Sequence, residues 1–238
     1  MSDAELTAQT ALVTGGARRL GRAIALGLVA EGANVVVHYH TSTDEAAQVC
    51  DEIAALGVQA WTVQADLGCE DETATLVARA VELAGPLRIL VNNASIFEPN
   101  APADARPDQD ARHMAINAQA PLELTRLFAA QDIASGHVVN LLDTRLRGGD
   151  PDHESYIASK RALEEITRET ALEFAPRIAV NAVAPGLVLP EAGEDAGALP
   201  LQRPGTPEDV ADAVVYLAKT RFVPGQVIYV DGGRRLRY

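Results

Sequence analysis

Aromatic residues are scarce in this chain, 4% of 238 positions, with one tryptophan and four phenylalanines. Cysteine is scarcer still. Cys50 and Cys69 fall in segments of helical period and lack metal-type spacing, so neither a disulfide framework nor a metal site is expected. Packing in a reduced compartment is their simplest role. Basic residues are outnumbered, 20 Lys and Arg against 33 Asp and Glu, for a net charge of −13. A field of that sign repels nucleic acid and anionic lipid, which excludes both as expected partners. It also opposes an anionic ligand, so any phosphate site has to be locally basic. No window approaches the roughly 20 apolar residues of a membrane span. The opening, Met1 to Thr10, is acidic and polar, unlike a signal peptide. A cytoplasmic protein is the expectation.

What is present is a regular alternation. Short apolar runs at Ala11–Val13, Val35–Val37, Trp61–Val63, Ile89–Val91, Val138–Leu142, Ile178–Ala184 and Val227–Val230 read as strands. Between them lie segments of helical period near 19–31, 44–56, 72–83, 108–130 and 156–174. A last helix opens at Thr206-Pro207-Glu208-Asp209, with a capping threonine, proline at the first helical position and acids in the first turn. Strict alternation predicts an α/β fold: one Rossmann-like, doubly wound parallel sheet of about seven strands flanked by helices, spanning 1–238 as a single domain. The least regular stretch, Leu187 to Arg203, is rich in Gly, Pro and acid and is read as a substrate lid.

At the end of the first strand stands Thr14-Gly15-Gly16-Ala17-Arg18-Arg19-Leu20-Gly21. A glycine turn opening a helix lets backbone N–H groups and the helix N-terminus approach a pyrophosphate. This turn resembles that of the short-chain dehydrogenase/reductase family, T-G-x-x-x-G-x-G, with Arg19 in place of the middle glycine. That departure resembles the pteridine reductase branch, T-G-x-x-[KR]-R-[LI]-G. The resemblance implies that Gly15, Arg19 and Leu20 meet the cofactor, with Arg19 as a forked phosphate donor. The second strand ends in His38-Tyr39-His40-Thr41-Ser42, without the acid that holds both ribose hydroxyls of NAD. His40, Thr41 and Ser42 offer donors instead, which favours NADPH. His38-Tyr39-His40 also resembles the pteridine reductases, although their following arginine is Thr41 here. Asp66-Leu67 falls where the family holds adenine. Asn93-Ala94-Ser95 resembles its N-N-A-G turn, with Asn93 either touching cofactor or bracing the strands.

Tyr156 and Lys160 stand four apart and share one helix face. A phenol is too weak an acid for proton transfer at neutral pH, and a nearby ammonium is expected to favour the phenolate. Asn181-Ala182-Val183-Ala184-Pro185-Gly186 resembles the family's nicotinamide-contacting turn, through Pro185 and Gly186, and Asp231-Gly232-Gly233 its closing motif. Asn117 falls where the family has an asparagine supporting a relay to the lysine. Its plain alternative is a polar helix residue bonding backbone.

The fifth strand ends at Asp143, where ordinary family members carry a serine that bonds the substrate carbonyl. An ionised carboxylate there opposes charge developing on a carbonyl oxygen, yet suits a pterin ring with its N–H donors. The pteridine reductases share that substitution, and Thr144 is the competing candidate for the serine's role. Ser95-Ile96-Phe97 resembles the stretch with which that branch stacks a pterin, and an aromatic lid suits a flat heterocycle. The resemblance thus implies NADPH-dependent reduction of dihydrobiopterin, dihydromonapterin or dihydrofolate, with Tyr156, Lys160, Asp143 and Asn117 catalytic. Arg19, Ser95, Phe97, Asp143 and Tyr156 would contact a pterin or folate. The terminal Gly233-Arg234-Arg235-Leu236-Arg237 resembles bacterial dihydromonapterin reductases, and the family implies a homotetramer. Two rivals stay open: a 3-oxoacyl or general carbonyl reductase, and a non-catalytic NADP-binding sensor.

Overall fold

The computed structural model describes residues 6–99, 107–189 and 199–237. Its elements run β1 (Thr10–Val13), α1 (Arg19–Ala30), β2 (Asn34–Tyr39), α2 (Thr43–Ala55), β3 (Ala60–Gln64), α3 (Glu70–Ala84) and β4 (Leu87–Asn92). They continue with α4 (Pro107–Met114), a π-helical turn (Ala115–Gln119), α5 (Ala120–Ala129), β5 (Gly136–Leu141), α6 (Arg145–Gly148) and α7 (Glu154–Glu173). The chain then forms β6 (Ile178–Pro185), α8 (Pro207–Lys219), β7 (Val227–Val230) and a 3-10 turn (Arg234–Arg237).

All seven strands lie in one sheet, ordered β3-β2-β1-β4-β5-β6-β7, and every pairing is parallel. Successive side chains of a strand point to opposite faces. Accordingly Ala11, Val13, Val35, Val37, Ile89 and Val91 pack with α1 and α8 on one side. Leu12, Val36, Leu90, Val138 and Val180 pack with α3 and α5 on the other. Burial on both faces is why these strands read as unbroken apolar runs. The order reverses between β1 and β4, and ligands of such sheets bind beyond the strand C-termini at that switch point. Every site residue inferred from the sequence sits at, or faces, those ends.

Two expectations need correction. The helix expected as continuous over 108–130 is broken by the π-helical turn. Pro121 has no N–H to give to the carbonyl of Asn117 four residues earlier, so an unbroken α ladder is impossible there. Helix α6 was not anticipated, being only four residues long. The proposed lid over 187–203 lies partly outside the described residues, which omit 190–198. Thr206 caps α8 as expected, in a reciprocal box with Asp209. Among the described residues no helix is long and apolar enough to cross a membrane.

Candidate active site

The glycine turn after β1 is built from inside the protein. Thr14 Oγ1, buried, accepts from the backbone N–H of Asn93 (2.9 Å) and Ala94 (3.0 Å). Asn93 Nδ2 donates to the carbonyls of Thr14 (2.8 Å) and Gly15 (3.2 Å). Of the two roles open to Asn93, its side chain has taken the brace between β1 and β4. Gly15 adopts φ +62°, and a Cβ on Gly21 would come within 2.0 Å of the Gly15 carbonyl oxygen. Arg19 adopts φ +49°. The backbone has therefore kept the left-handed conformation that the family's usual glycine supplies, although an arginine costs roughly 1 kcal/mol or more there. Its side chain is exposed, and no hydrogen bond or ion pair holds it among the described residues.

His38 lines the cleft, but both ring nitrogens are occupied within the protein. Nδ1 accepts from the Gly15 N–H at 3.0 Å, which leaves Nε2 to donate to the Ala65 carbonyl at 3.1 Å. In this arrangement its ring braces the Gly15 backbone. Burial holds its pKa down at about 4. The folded state thus keeps His38 neutral while the unfolded chain protonates near 6.5, so stability is full above that value and is lost as pH falls from 6.5 toward 4. The loss from this residue is expected to be about 3 kcal/mol. Burial shifts His137 the same way, also to about 4. Denaturant unfolding at pH 7 and pH 4.5 should therefore show a clearly smaller pH difference in His38→Gln than in the wild type; equal differences would contradict the assignment.

The cleft above these residues has a volume of about 1000 Å3. It runs from Tyr39, His40, Thr41, Ser42, Asp66 and Leu67 past Ala94, Ser95 and Phe97 to Asp143, Tyr156 and Gly186. Arg18 and Arg19, on the turn after β1, give that end of the lining basic side chains in a strongly acidic chain, as a phosphate site requires. No acid stands at the tip of β2, and Asp66 Oδ2, beyond β3, is 3.8 Å from His40 Nε2. Gly186, beside Pro185, leaves no room for a side chain, since a Cβ would meet the Asp231 Cα at 2.6 Å.

At the other end, α7 sets Tyr156 and Lys160 on one buried face. Tyr156 donates from its hydroxyl to Asp143 Oδ2 at 3.0 Å. Lys160 Nζ donates to the Leu141 carbonyl at 2.7 Å and lies 5.7 Å from the Tyr156 ring centroid. Burial, and then the Asp143 carboxylate, push the Tyr156 phenol well above its ordinary range. The lowering expected from Lys160 is not the direction found in this arrangement, because burial and a facing anion both oppose ionisation of the phenol. Burial pushes the Lys160 ammonium down to about 8, with Asp143 acting in the opposite sense.

Asp143 accepts from the Arg145 N–H through Oδ1 (2.7 Å) and pairs with Arg145 Nη1 through Oδ2 (3.4 Å). Thr144 is fully buried, and its hydroxyl has no partner among the described residues. The carboxylate, not that hydroxyl, lines the cleft. Phe97 is 44% exposed, stacked on His153 (centroids 3.9 Å, planes 10° apart) and edge-on to Tyr156 at 4.7 Å. Asn117 is clamped to Ile96 in both directions, its Oδ1 accepting from the Ile96 N–H (2.9 Å) and its Nδ2 donating to the Ile96 carbonyl (3.0 Å). Nδ2 also reaches Ser159 Oγ at 3.0 Å. The side chain thus bonds backbone and fixes the loop segment that carries Ser95 and Phe97. Among the charged or imidazole side chains of the lining, Arg112, Arg145 and His153 escaped the sequence reading. The position of Arg145 two residues past Asp143 could have drawn notice, whereas a loop histidine carries no pattern.

A nucleotide-cradling turn facing a buried Tyr–Lys pair across one cleft defines a dinucleotide-dependent oxidoreductase. Comparison with known proteins agrees. A family model described as enoyl-(acyl carrier protein) reductase matches residues 15–235. The 3-oxoacyl-(acyl-carrier-protein) reductase FabG of Staphylococcus epidermidis is 34% identical over 239 residues, covering 94% of this chain and 98% of that protein. The solved structure of FolM alternative dihydrofolate reductase 1 from Brucella canis complexed with NADP has a TM-score of 0.92 at 37% identity, over 98% of this chain and 97% of the other. Landomycin C-6 ketoreductase LanV, with bound NADP and rabelomycin, gives 0.91 at 36% identity over 98% of each chain. The chain belongs to the short-chain dehydrogenase/reductase family and is an NADPH-dependent oxidoreductase.

Proposed function

We propose that this enzyme reduces a dihydropterin ring, as dihydrobiopterin, dihydromonapterin or dihydrofolate, to the tetrahydro form. The observation that carries this reading is the Asp143 carboxylate, 3.0 Å from the Tyr156 hydroxyl and lining the cleft. A carbonyl reductase needs a neutral donor at that position, since a carboxylate opposes the developing oxyanion. A pterin presents N–H donors that a carboxylate accepts and a ring nitrogen that needs a proton. The FolM structures from Brucella canis and Brucella suis, 37% and 38% identical, support the same substrate class.

The cleft suits NADPH: the cramped Gly15–Gly21 turn admits a pyrophosphate against backbone, and the basic lining suits a further phosphate. Gly15, Arg19, Leu20, His40, Thr41 and Ser42 would hold its phosphates and adenosine ribose, Asp66 and Leu67 its adenine. Ala94, Ser95, Tyr156, Lys160, Pro185 and Gly186 would hold the nicotinamide half. Bound there, NADPH supplies the hydride. Tyr156, protonated, gives its proton to the reduced ring, and Asp143 orients that hydroxyl and accepts from the ring. Lys160 anchors the neighbouring ribose. Arg19, Ser95 and Phe97 would line the pterin, with Phe97 as the stacking surface. The active form in this proposal is a homotetramer.

The FabG relatives and the LanV structures favour a second reading, reduction of an oxo group on an acyl thioester or polyketide. Following NADPH absorbance with dihydrobiopterin and dihydrofolate, against an acetoacetyl thioester, separates the two. Turnover of pterin is expected; turnover of the thioester alone would overturn the proposal. Arg19 supplies a further expectation. Arg19→Gly relieves roughly 1 kcal/mol of backbone strain but adds a similar flexibility to the unfolded chain, so stability should stay near wild type. Loss of a charged phosphate donor, about 1.5–3 kcal/mol, should weaken NADPH binding at least tenfold. Unchanged affinity in a fluorescence titration would leave Arg19 without that role.

A further inference from the structure

Arg145, absent from the sequence-derived site, touches two of its residues, Asp143 and Phe97, and Asp150 beside them. Its backbone N–H and its guanidinium both meet Asp143, at 2.7 and 3.4 Å. Its guanidinium carbon lies 4.9 Å from the Phe97 ring centroid, and its Nε is 3.4 Å from Asp150 Oδ2. Asp150 Oδ2 in turn stands 3.1 Å from His153 Nδ1, a close approach without hydrogen-bond geometry, and the His153 ring is the one stacked on Phe97. The contacts close a circuit, Arg145 to Asp150 to His153 to Phe97 and back, with a branch to the Asp143–Tyr156 pair.

Three features make this more than a surface ion pair. The Arg145 side chain is 23% exposed and those of Asp143 and Asp150 16% and 20%, so water screens the charges weakly. A planar guanidinium can stack on a ring while its edge bonds carboxylates, which an ammonium cannot do. Moreover Asp143 has a backbone and a side-chain donor from one residue, which fixes its rotation and leaves Oδ2 aimed at the phenol. Asp143 and Phe97 lie on separate elements, after β5 and β4, and neither touches the other through any contact described above.

We propose that Arg145 is a positioning residue that holds the Asp143 carboxylate against Tyr156 and, by the same guanidinium, sets the Phe97 ring over the substrate cleft. The inference rests on the pterin reading for the identity of the substrate, but not for the arrangement itself.

The test uses Arg145→Ala and Arg145→Lys in the full chain. In the ligand-free protein, the His153 ring protons are shielded by the stacked Phe97 and should give a displaced NMR resonance, assigned by its loss in His153→Gln. That displacement should largely vanish in Arg145→Ala and partly return in Arg145→Lys. With NADPH saturating, kcat/KM for dihydrobiopterin should fall by about tenfold to a hundredfold in Arg145→Ala, the scale for losing a group that supports proton transfer. Added guanidinium at low, non-denaturing concentration should restore part of it, and NADPH affinity should hold within about twofold of the wild type. A wild-type His153 resonance in Arg145→Ala, or a wild-type kcat/KM, overturns the proposal. So does a loss of NADPH affinity equal to the loss of turnover, because that marks general disruption; if Arg145→Ala does not fold, the same readings are taken on Arg145→Lys. Should the wild type reduce only the acetoacetyl thioester, the substrate proposal fails, and the Arg145 measurements stand on the NMR displacement and on thioester kinetics.

Discussion

Asp143→Ser is expected to remove most pterin reduction, a fall in kcat/KM of about a hundredfold or more, while leaving NADPH affinity intact. The carboxylate contacts Tyr156 at 3.0 Å and Arg145 at 2.7 and 3.4 Å, and makes no contact with the turn that follows β1. Serine is too short to span these partners and cannot carry the charge. Two consequences follow together. The phenol loses the acceptor that orients it, and it loses the anion that helps hold its proton, so it becomes a stronger acid in a less defined position. The same change supplies the neutral hydroxyl that a ketone prefers, and acetoacetyl thioester turnover should rise from its wild-type level. Asp143→Asn separates charge from shape: it preserves an acceptor oxygen for Tyr156 but not the anion, and its pterin turnover should fall between the two. Steady-state kinetics on both substrates, with NADPH titrated separately, decide the matter. Wild-type pterin kinetics in Asp143→Ser would remove Asp143 from the mechanism.

The second large effect belongs to Gly21. Its constraint is steric, since a Cβ would lie 2.0 Å from the Gly15 oxygen, 2.8 Å from the Gly15 carbonyl carbon and 2.7 Å from Asn93 Nδ2. None of these is the free end of a flexible side chain. Gly21→Ala must push α1 away from the turn or break the Asn93 brace, and overpacking of that kind costs about 1–3 kcal/mol. The displaced backbone is the surface that would meet the pyrophosphate, so NADPH affinity should drop by about tenfold to a hundredfold. Gly57→Ala is the comparison, because no atom lies within 4 Å of its would-be Cβ and only its φ of +85° resists the change. It should lose stability of about 1 kcal/mol with NADPH binding untouched. Equal effects on binding from both variants would mean that the turn tolerates a side chain at Gly21.

Much of the fold was legible because its causes are local. Strands buried on both faces must be mostly apolar, and the runs at Val35–Val37 and Ile89–Val91 declare themselves without reference to neighbours. Thr206 and Asp209 mark a helix start by chemistry confined to four residues. The site was legible where backbone necessity imposes residue types, as at Gly15, Gly21 and Gly186. Elsewhere it was read by resemblance, and there the roles shifted. His38, Asn93 and Asn117 could be named but not oriented; both ring nitrogens of His38, both side-chain polar atoms of Asn117 and the Nδ2 of Asn93 bond within the protein. The break at Ala115–Gln119 passed unseen because the apolar spacing on either side remains helical, while its cause, Pro121, acts on a carbonyl four residues back.

The division has a physical basis. Composition, periodicity and glycine placement are enough to specify a parallel doubly wound sheet with a phosphate-type turn on its first strand, since each arises from interactions within a few residues of chain. The ionisation of Tyr156 is a different kind of quantity. It depends on burial and on Asp143 thirteen positions away in the chain, and it came out opposite to the sense expected from the Lys160 spacing alone. Likewise Phe97 and His153 are separated by the whole of α4, α5, β5 and α6, and only packing brings their rings to 3.9 Å. Fields and stacks act through space, so they exist only once the sheet has assembled β1, β4 and β5 side by side and set their ends around a single cleft.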